Sequence, residues 1–181
     1  MSVAAFEDSP ETARGRMLYQ SLLAVHALIR RDLRTVEQLA GAVLDGLPAD
    51  AVHEELQALK SNGMLWQFQV SCLRYCGFVH MHHNAEDSEF FDELEETNPA
   101  IGPVVDRLRA EHRQVSGYLD AVEAAATALT EDESHEARRA VADALKVLEG
   151  HLLAHLEYEE LNIADTARRL RDFPSVGRAS A

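Results

Sequence analysis

The sequence predicts an all-α protein, an up-down-up-down four-helix bundle, on three observations. Apolar residues recur at spacings of three and four along four long stretches, the period of a buried helix face. No stretch of useful length alternates apolar and polar residues as a half-buried strand does. The breaks between the stretches are short and hold Gly, Pro, Asn and Asp, so consecutive helices return antiparallel.

The first helix is expected from Ala13 to about Leu47, where Met17, Leu18, Leu22, Val25, Ile29, Leu33, Val36, Leu39, Val43 and Leu44 share one side. "DGLPAD" (45–50) ends it, and Asp50 is placed to cap the second helix. That helix begins in "AVHEELQALK", meets "SNG" at 61–63 and resumes through "MLWQFQVSCLRYCGFVHMHHNAEDSEFFDELEE". A bent or broken long helix, and a short extra helix before a restarted one, both fit this pattern. "TNPAIGP" (97–103) stops it, and a third run carries Val104, Val105, Leu108, Val115, Leu119 and Val122 to about Leu129. "TEDESHEAR" turns the chain into a last helix from about His135 to Leu170, and "RDFPSVGRASA" reads as a tail. One domain over 1–181, with its core at about 15–170, is the organisation expected of this length.

At 181 residues the chain can bury a substantial core without disulfides. Cys72 and Cys76, four apart on one helix, are poorly placed to form one and read as buried thiols. Acids outnumber Lys plus Arg by 31 to 17, a formal charge of −14, which repels phosphate and removes nucleic acid from the expected partners. The start "MSVAAFEDSPETARGR" lacks a basic region followed by an apolar run, and no stretch nears ~18 uninterrupted apolar residues. A soluble, cytoplasmic monomer without a membrane partner is expected.

The histidines fall at one height. His26 lies about twelve residues into the first helix and His112 about twelve into the third, roughly 18 Å from their starts at ~1.5 Å per residue. His82, about eighteen residues after Met64, and His155, about twenty into the last helix, have descended roughly 27–30 Å. In a bundle about 45 Å tall this sets them opposite the other two. Spacing adds a second coincidence, because His82 and Glu86, His151 and His155, and His155 and Glu159 are each four apart and so share helix faces.

A single histidine on an apolar face is ordinarily a core residue. The joint set differs, because burying Glu86 and Glu159 beside imidazoles costs several kcal/mol per unpaired ion unless a cation compensates them. Imidazole and carboxylate without thiolate suit iron, manganese or zinc, and facing helices with such pairs are a recurrent way to hold two metals. The inventory of His26, His82, Glu86, His112, His151, His155 and Glu159 exceeds what one ion needs. His53, His80 and His135 read as solvated side chains.

These residues resemble the hemerythrin-like family, the HHE cation-binding domain. "HALIRRDL" (26–33) is similar to its first-helix motif, "HHNAEDSEFF" (82–91) to its second, "LRAEHRQVSGYL" (108–119) to its third and "LEGHLLAHLEYEE" (148–160) to its fourth. All four stand in the family's order. The resemblance implies a non-haem di-iron centre bridged by two carboxylates and an oxo or hydroxo group. It implies His26 and His82 on one iron, His112 and His155 on the other, and Glu86 with a fourth-helix carboxylate as bridges.

Three positions depart from the oxygen carriers of that family. Where they hold a second third-helix histidine, this chain has Ser116, and His151 is placed to replace it from the fourth helix. Their bridging aspartate, five residues after the fourth-helix histidine, is matched in position by Glu160, whereas Glu159 at four keeps the better helical alignment and is favoured. His83, beside His82, reads as a reserve ligand, a hydrogen-bond partner of a ligand, or a surface histidine.

Tyr75 and Tyr19 each lie seven residues before a ligand histidine, Tyr158 adjoins the bridge, and Tyr118 follows His112 by six. Core packing is the plain reading of all four; a phenolate on iron would favour redox turnover over reversible oxygen binding. Glu86, Glu159 and Tyr75 are the residues expected at the reaction. Met64, Trp66, Cys72, Cys76 and Phe78 are expected beneath or beside the site, Phe90 and Phe91 to shield it, and Asp87 and Glu89 to face elsewhere. The function so implied is catalase-like disproportionation of hydrogen peroxide by two iron ions. Reversible binding or sensing of dioxygen or nitric oxide is the alternative.

Overall fold

Among the described residues all regular structure is helical. The computed structural model describes residue 6 and residues 9–44 and 54–171, with side chains described at 6, 9–41, 44 and 70–171. In chain order the elements are α1 (Ala13–Leu44), α2 (Glu54–Ala85), a π-helical turn (Glu86–Phe90), α3 (Phe91–Thr97), a 3-10 turn (Pro99–Ile101), α4 (Gly102–Glu131) and α5 (His135–Arg168). α3 continues α2 through the π turn, so four long rods result. α1 packs on α5 and α2, and α4 packs on α5 and α2, which closes the ring of a four-helix bundle.

The second rod differs from expectation in where it is irregular. α2 runs without a break through Ser61, Asn62 and Gly63, and the helix widens instead at Glu86–Phe90, where the Phe91 N–H bonds to Glu86 O, five residues back. The 45–50 turn, the cap at Asp50, the side chains of Met64 and Trp66, and the tail beyond Arg171 lie outside the described residues. Cys72 and Cys76 are free and buried. No helix among the described residues is long and apolar enough to cross a membrane.

Capping and close approach fix the ends. Thr12 starts α1: its hydroxyl accepts from the Gly15 N–H at 2.8 Å and donates to Leu170 O at 2.5 Å. Its own N–H reaches Arg168 O at 2.9 Å, tying the start of α1 to the end of α5 as antiparallel neighbours. Ser134 caps α5 by accepting from the Ala137 N–H at 3.2 Å. Asn98 ends α3 and accepts from the Ala100 N–H at 3.2 Å, turning the chain toward α4.

The core is in two parts. One holds Ile29 and Val36 of α1, Cys72, Cys76 and Val79 of α2, Val115 to Leu129 of α4 and Val141 to Leu156 of α5. The other holds Tyr19 and Leu22, Phe91 and Leu94, Ile101 to Leu108, and Ile163 to Leu170. On every rod the two are separated by the same kind of residue: His26 between Leu22 and Ile29, His82 to Glu86 between Val79 and Phe91, His112 between Leu108 and Val115, and His155 with Glu159 before Ile163. A buried polar layer therefore crosses the bundle at one level.

Gly15 allows the contact that closes the far end. A Cβ there would fall 2.3 Å from Arg168 O, which is backbone and cannot swing aside. Gly15→Ala is expected to destabilise the fold by about 1–3 kcal/mol through overpacking, read as a lower urea midpoint at unchanged slope. A midpoint equal to the parent's would show that α1 and α5 separate here at no cost.

Candidate metal centre

Four histidines meet in the polar layer as two pairs. His26 Nε2 lies 3.1 Å from His82 Nε2, and His112 Nε2 lies 3.1 Å from His155 Nε2. Two carboxylates lie between the pairs. Glu86 turns Oε1 toward His82 at 3.2 Å and His26 at 3.9 Å, and Oε2 toward His112 at 3.6 Å. Glu159 Oε2 lies 3.4 Å from His26 Nε2 and 3.7 Å from His155 Nε2. Each carboxylate thus spans both pairs. Glu159 is 0% and Glu86 4% exposed, and none of their four oxygens accepts a hydrogen bond.

The protonation of three of the imidazoles follows from what holds their outer nitrogens. Three carboxylates hold the outer nitrogens: Glu160 Oε1 at 2.9 Å from His26 Nδ1, Asp87 Oδ1 at 2.9 Å from His112 Nδ1, and Glu111 Oε2 at 3.0 Å from His155 Nδ1. A carboxylate requires a donor, so Nδ1 carries the proton and Nε2 is left as a lone pair. The His112 and His155 lone pairs, 3.1 Å apart, repel unless a cation sits between them, and His26 turns its own lone pair to His82 Nε2 at the same distance. Two nitrogens bound to one ion at roughly 2.0–2.2 Å stand about 3.0–3.4 Å apart, so the spacing suits a shared metal. The donor set of imidazole and carboxylate, without thiolate, is that of iron, manganese or zinc.

The orienting carboxylates are themselves anchored. Arg30 bonds Glu160 at 2.6 Å, and Arg107 bonds Glu111 at 2.7 Å while its guanidinium lies 3.6 Å from the centre of the Tyr158 ring. Each of the three stands next in sequence to a residue of the centre and serves the neighbouring rod: Asp87 reaches from α2's end to α4, Glu111 from α4 to α5, and Glu160 from α5 to α1. Asp87 was expected to face elsewhere; the structure corrects this, because it holds His112. The adjacency of Glu86 to Asp87, of His112 to Glu111 and of Glu159 to Glu160 is the signal by which all three were findable.

Of the residues singled out in the sequence, His26, His82, Glu86, His112, His155 and Glu159 come together. His151 does not: it is exposed on the outer face of α5 and stacks on Tyr118, ring centres 4.4 Å apart. Tyr75 does not either. It packs in the lower core with Cys72, Cys76 and Val79, and its hydroxyl is buried without a partner. Burial pushes its phenol up, with Cys76, Asp32 and Glu37 adding to the rise, the reverse of what a phenolate ligand needs. Tyr19 donates to Glu160 O at 3.0 Å. His83, left open by the sequence, is buried against His112 and His155, with Nε2 lacking any partner.

One path reaches the layer from outside. A small cavity of about 180 Å³ between α1 and α2 is lined by Leu18, Leu22, Val25, Ala85 and Phe90, with Ser21 at its side, and opens onto His82 and Glu86. Phe91, on the other side of the same rod, is fully buried and stacks on His112 at 5.3 Å.

Burial dominates the titration of the metal-free cluster. It holds Glu159 up at about 8, helped by Glu160, and Glu86 well above 4.5, helped by Glu159. Here the folded state keeps protons that the unfolded chain releases, so this stabilising contribution is full below about pH 4.5 and is lost as pH climbs to about 8. Burial holds His26 down at about 4 and His82 at about 3 against 6.5, and lowers His83, His112 and His155 likewise. Their contribution is full above pH 6.5 and is lost as pH falls toward the folded values. The chelator-treated chain is therefore expected to be most heat-stable near pH 6.5, since five imidazoles outweigh two carboxyls below it. In Glu159→Gln the decline between about pH 6.5 and 8 should shrink; an identical alkaline limb in thermal scans would contradict this assignment.

Among known proteins, the family model described as the hemerythrin HHE cation-binding domain matches residues 17–167. Neither the curated proteins nor the solved structures yielded a match. The matched span takes in all four rods and every residue of the buried layer, and the chain belongs to the hemerythrin HHE cation-binding family.

Proposed function

We propose that this chain is a non-haem di-iron protein that disproportionates hydrogen peroxide, two molecules giving two waters and one dioxygen. The observation that carries the reading is the pair of imidazole pairs spanned by two carboxylates whose four oxygens have no donor. His26 and His82 hold one ion, His112 and His155 the other, and Glu86 and Glu159 bridge them. An iron pair bound there supplies the two-electron exchange that peroxide disproportionation needs.

The surrounding residues favour turnover. Glu160, Asp87 and Glu111 make their imidazoles stronger donors, which stabilises oxidised ions over reduced ones. The cavity beside His82 and Glu86 measures about 180 Å³, below the ~300–1,000 Å³ of sites for drug-sized ligands, so it suits a molecule of a few atoms. Leu18, Leu22, Val25 and Phe90 give it apolar walls. The same apolar walls favour a second reading, reversible binding of dioxygen or nitric oxide, because nothing but Ser21 and the centre itself offers a hydrogen bond there.

An oxygen electrode separates the two, using protein whose iron per chain has been measured. Addition of peroxide is expected to release dioxygen over many turnovers. Protein holding two irons that releases none belongs to the binding reading. His82→Ala and Glu86→Ala should each lose iron and activity. With free metal at 100 times its dissociation constant or more, they should also lose roughly 3 kcal/mol or more of metal-dependent stability. Unchanged iron in both variants would remove the di-iron assignment.

A further inference from the structure

We infer that His83 is the third imidazole of the ion held by His112 and His155, supplied by α2 in place of the ligand that Ser116 cannot provide. The inference rests on the two-ion reading above and adds to it a residue and an asymmetry.

Consecutive residues on a helix point about 100° apart, and α2 lies between α1 and α4 in the ring of rods. Adjacent histidines on α2 therefore address different neighbours. His82 turns to α1, its ring centre 5.1 Å from that of His26. His83 turns to α4 and α5, stacked on His112 at 4.1 Å and 11° and set edge-on to His155 at 5.2 Å. Glu86 follows His82 by about 40° and precedes the direction of His83 by about 60°, so it falls between them. Its two oxygens divide accordingly, Oε1 to the His82 side and Oε2 to His112. The stretch from His82 to Glu86 thus presents donors to both ions from one helix.

His83 has the properties of a ligand and not those of a satisfied core residue. It is 4% exposed, and its Nε2 is buried with no hydrogen-bond partner. One ligand atom from each of His83, His112 and His155 lies within 4.8 Å of the others. The other source considered for this imidazole, His151, is turned outward onto Tyr118. Ser116, four residues after His112, is half-buried and offers only a hydroxyl. With His83 included, one ion has three nitrogens and the other two, while both share Glu86 and Glu159. The histidine pair with fewer donors, His26 and His82, is the one beside the cavity, which His82 and Glu86 help to line.

The test compares parent, His83→Leu and the double variant His83→Leu/Ser116→His, each iron-loaded and metal-free, with iron per chain and Mössbauer spectra as readouts. His83→Leu should weaken one of the two ions by at least about tenfold and alter its spectrum. The metal-free variant should unfold no earlier than the metal-free parent, because the change removes an unpaired buried nitrogen. The double variant should regain iron, since position 116 shares a face with His112. A His83→Leu protein that keeps both irons at parental affinity with an unchanged spectrum overturns the inference. So does one destabilised equally with and without metal, which would make His83 a packing residue. A parent that binds fewer than two ions removes the two-ion reading itself, a result distinguishable from the other two.

Discussion

Glu86 and Glu159 place four carboxylate oxygens inside an apolar bundle without a hydrogen-bond donor for any of them. Around them His26, His112 and His155 turn lone pairs, not N–H groups, into the same space. An interior of this kind has two ways to avoid unpaired charge: it keeps protons on carboxyls that would ionise in water, or it takes up cations. Burial, with the neighbouring carboxylates adding to it, pushes both carboxyls upward, and the opposite shifts of the histidines mean that no imidazolium compensates them. The rest of the bundle, with apolar clusters above and below this layer, stabilises the helices enough to carry it.

The three orienting carboxylates extend that constraint to the order of the helices. Each is handed from one rod to a histidine on the next, α2 to α4, α4 to α5 and α5 to α1. One step of the ring is missing. His26 on α1 is flanked by Val25 and Ala27, neither of which can hold an imidazole on α2. Val25 instead lines the cavity that reaches His82 and Glu86. The helix pair without an orienting carboxylate is thus the pair whose cavity opens onto His82 and Glu86.

Much of this was legible in the sequence because it depends on period and rise. The four helices came from apolar spacing, and the common height of His26, His82, His112 and His155 came from counting residues at ~1.5 Å each. The preference for Glu159 over Glu160 came from helical alignment, and the structure puts Glu159 between the histidine pairs and Glu160 behind His26. Most of what sequence reasoning missed depends on direction around a helix axis. His151, about 40° round from His155, ends outside against Tyr118, whereas Tyr75 shares the face of His82 but lies about 10 Å along the axis, within the core cluster of Cys72, Cys76 and Val79. Asp87 and Glu111 lie about 100° from the centre residues beside them, which looks like facing away until the neighbouring helix is known. The weak point at Ser61–Gly63 rests on composition alone, and the helix passes through it because an isolated Gly costs only ~1 kcal/mol.

The π turn was invisible to any periodic reading, yet it explains the pair of phenylalanines. An extra residue in the turn makes eight positions span the two turns that seven ordinarily cover. Eight residues after His82 stands Phe90, and eight after His83 stands Phe91, so each phenylalanine returns to the face of one histidine. Phe90 accordingly lines the cavity with His82, and Phe91 lies flat on His112 beside which His83 is stacked. In an unbroken α-helix Phe91 would sit about 80° further round, off the His112 ring. The bulge thus repeats the division made by the two histidines: one side of the centre lies under an apolar wall that a small molecule can pass, and the other is closed by a fully buried ring.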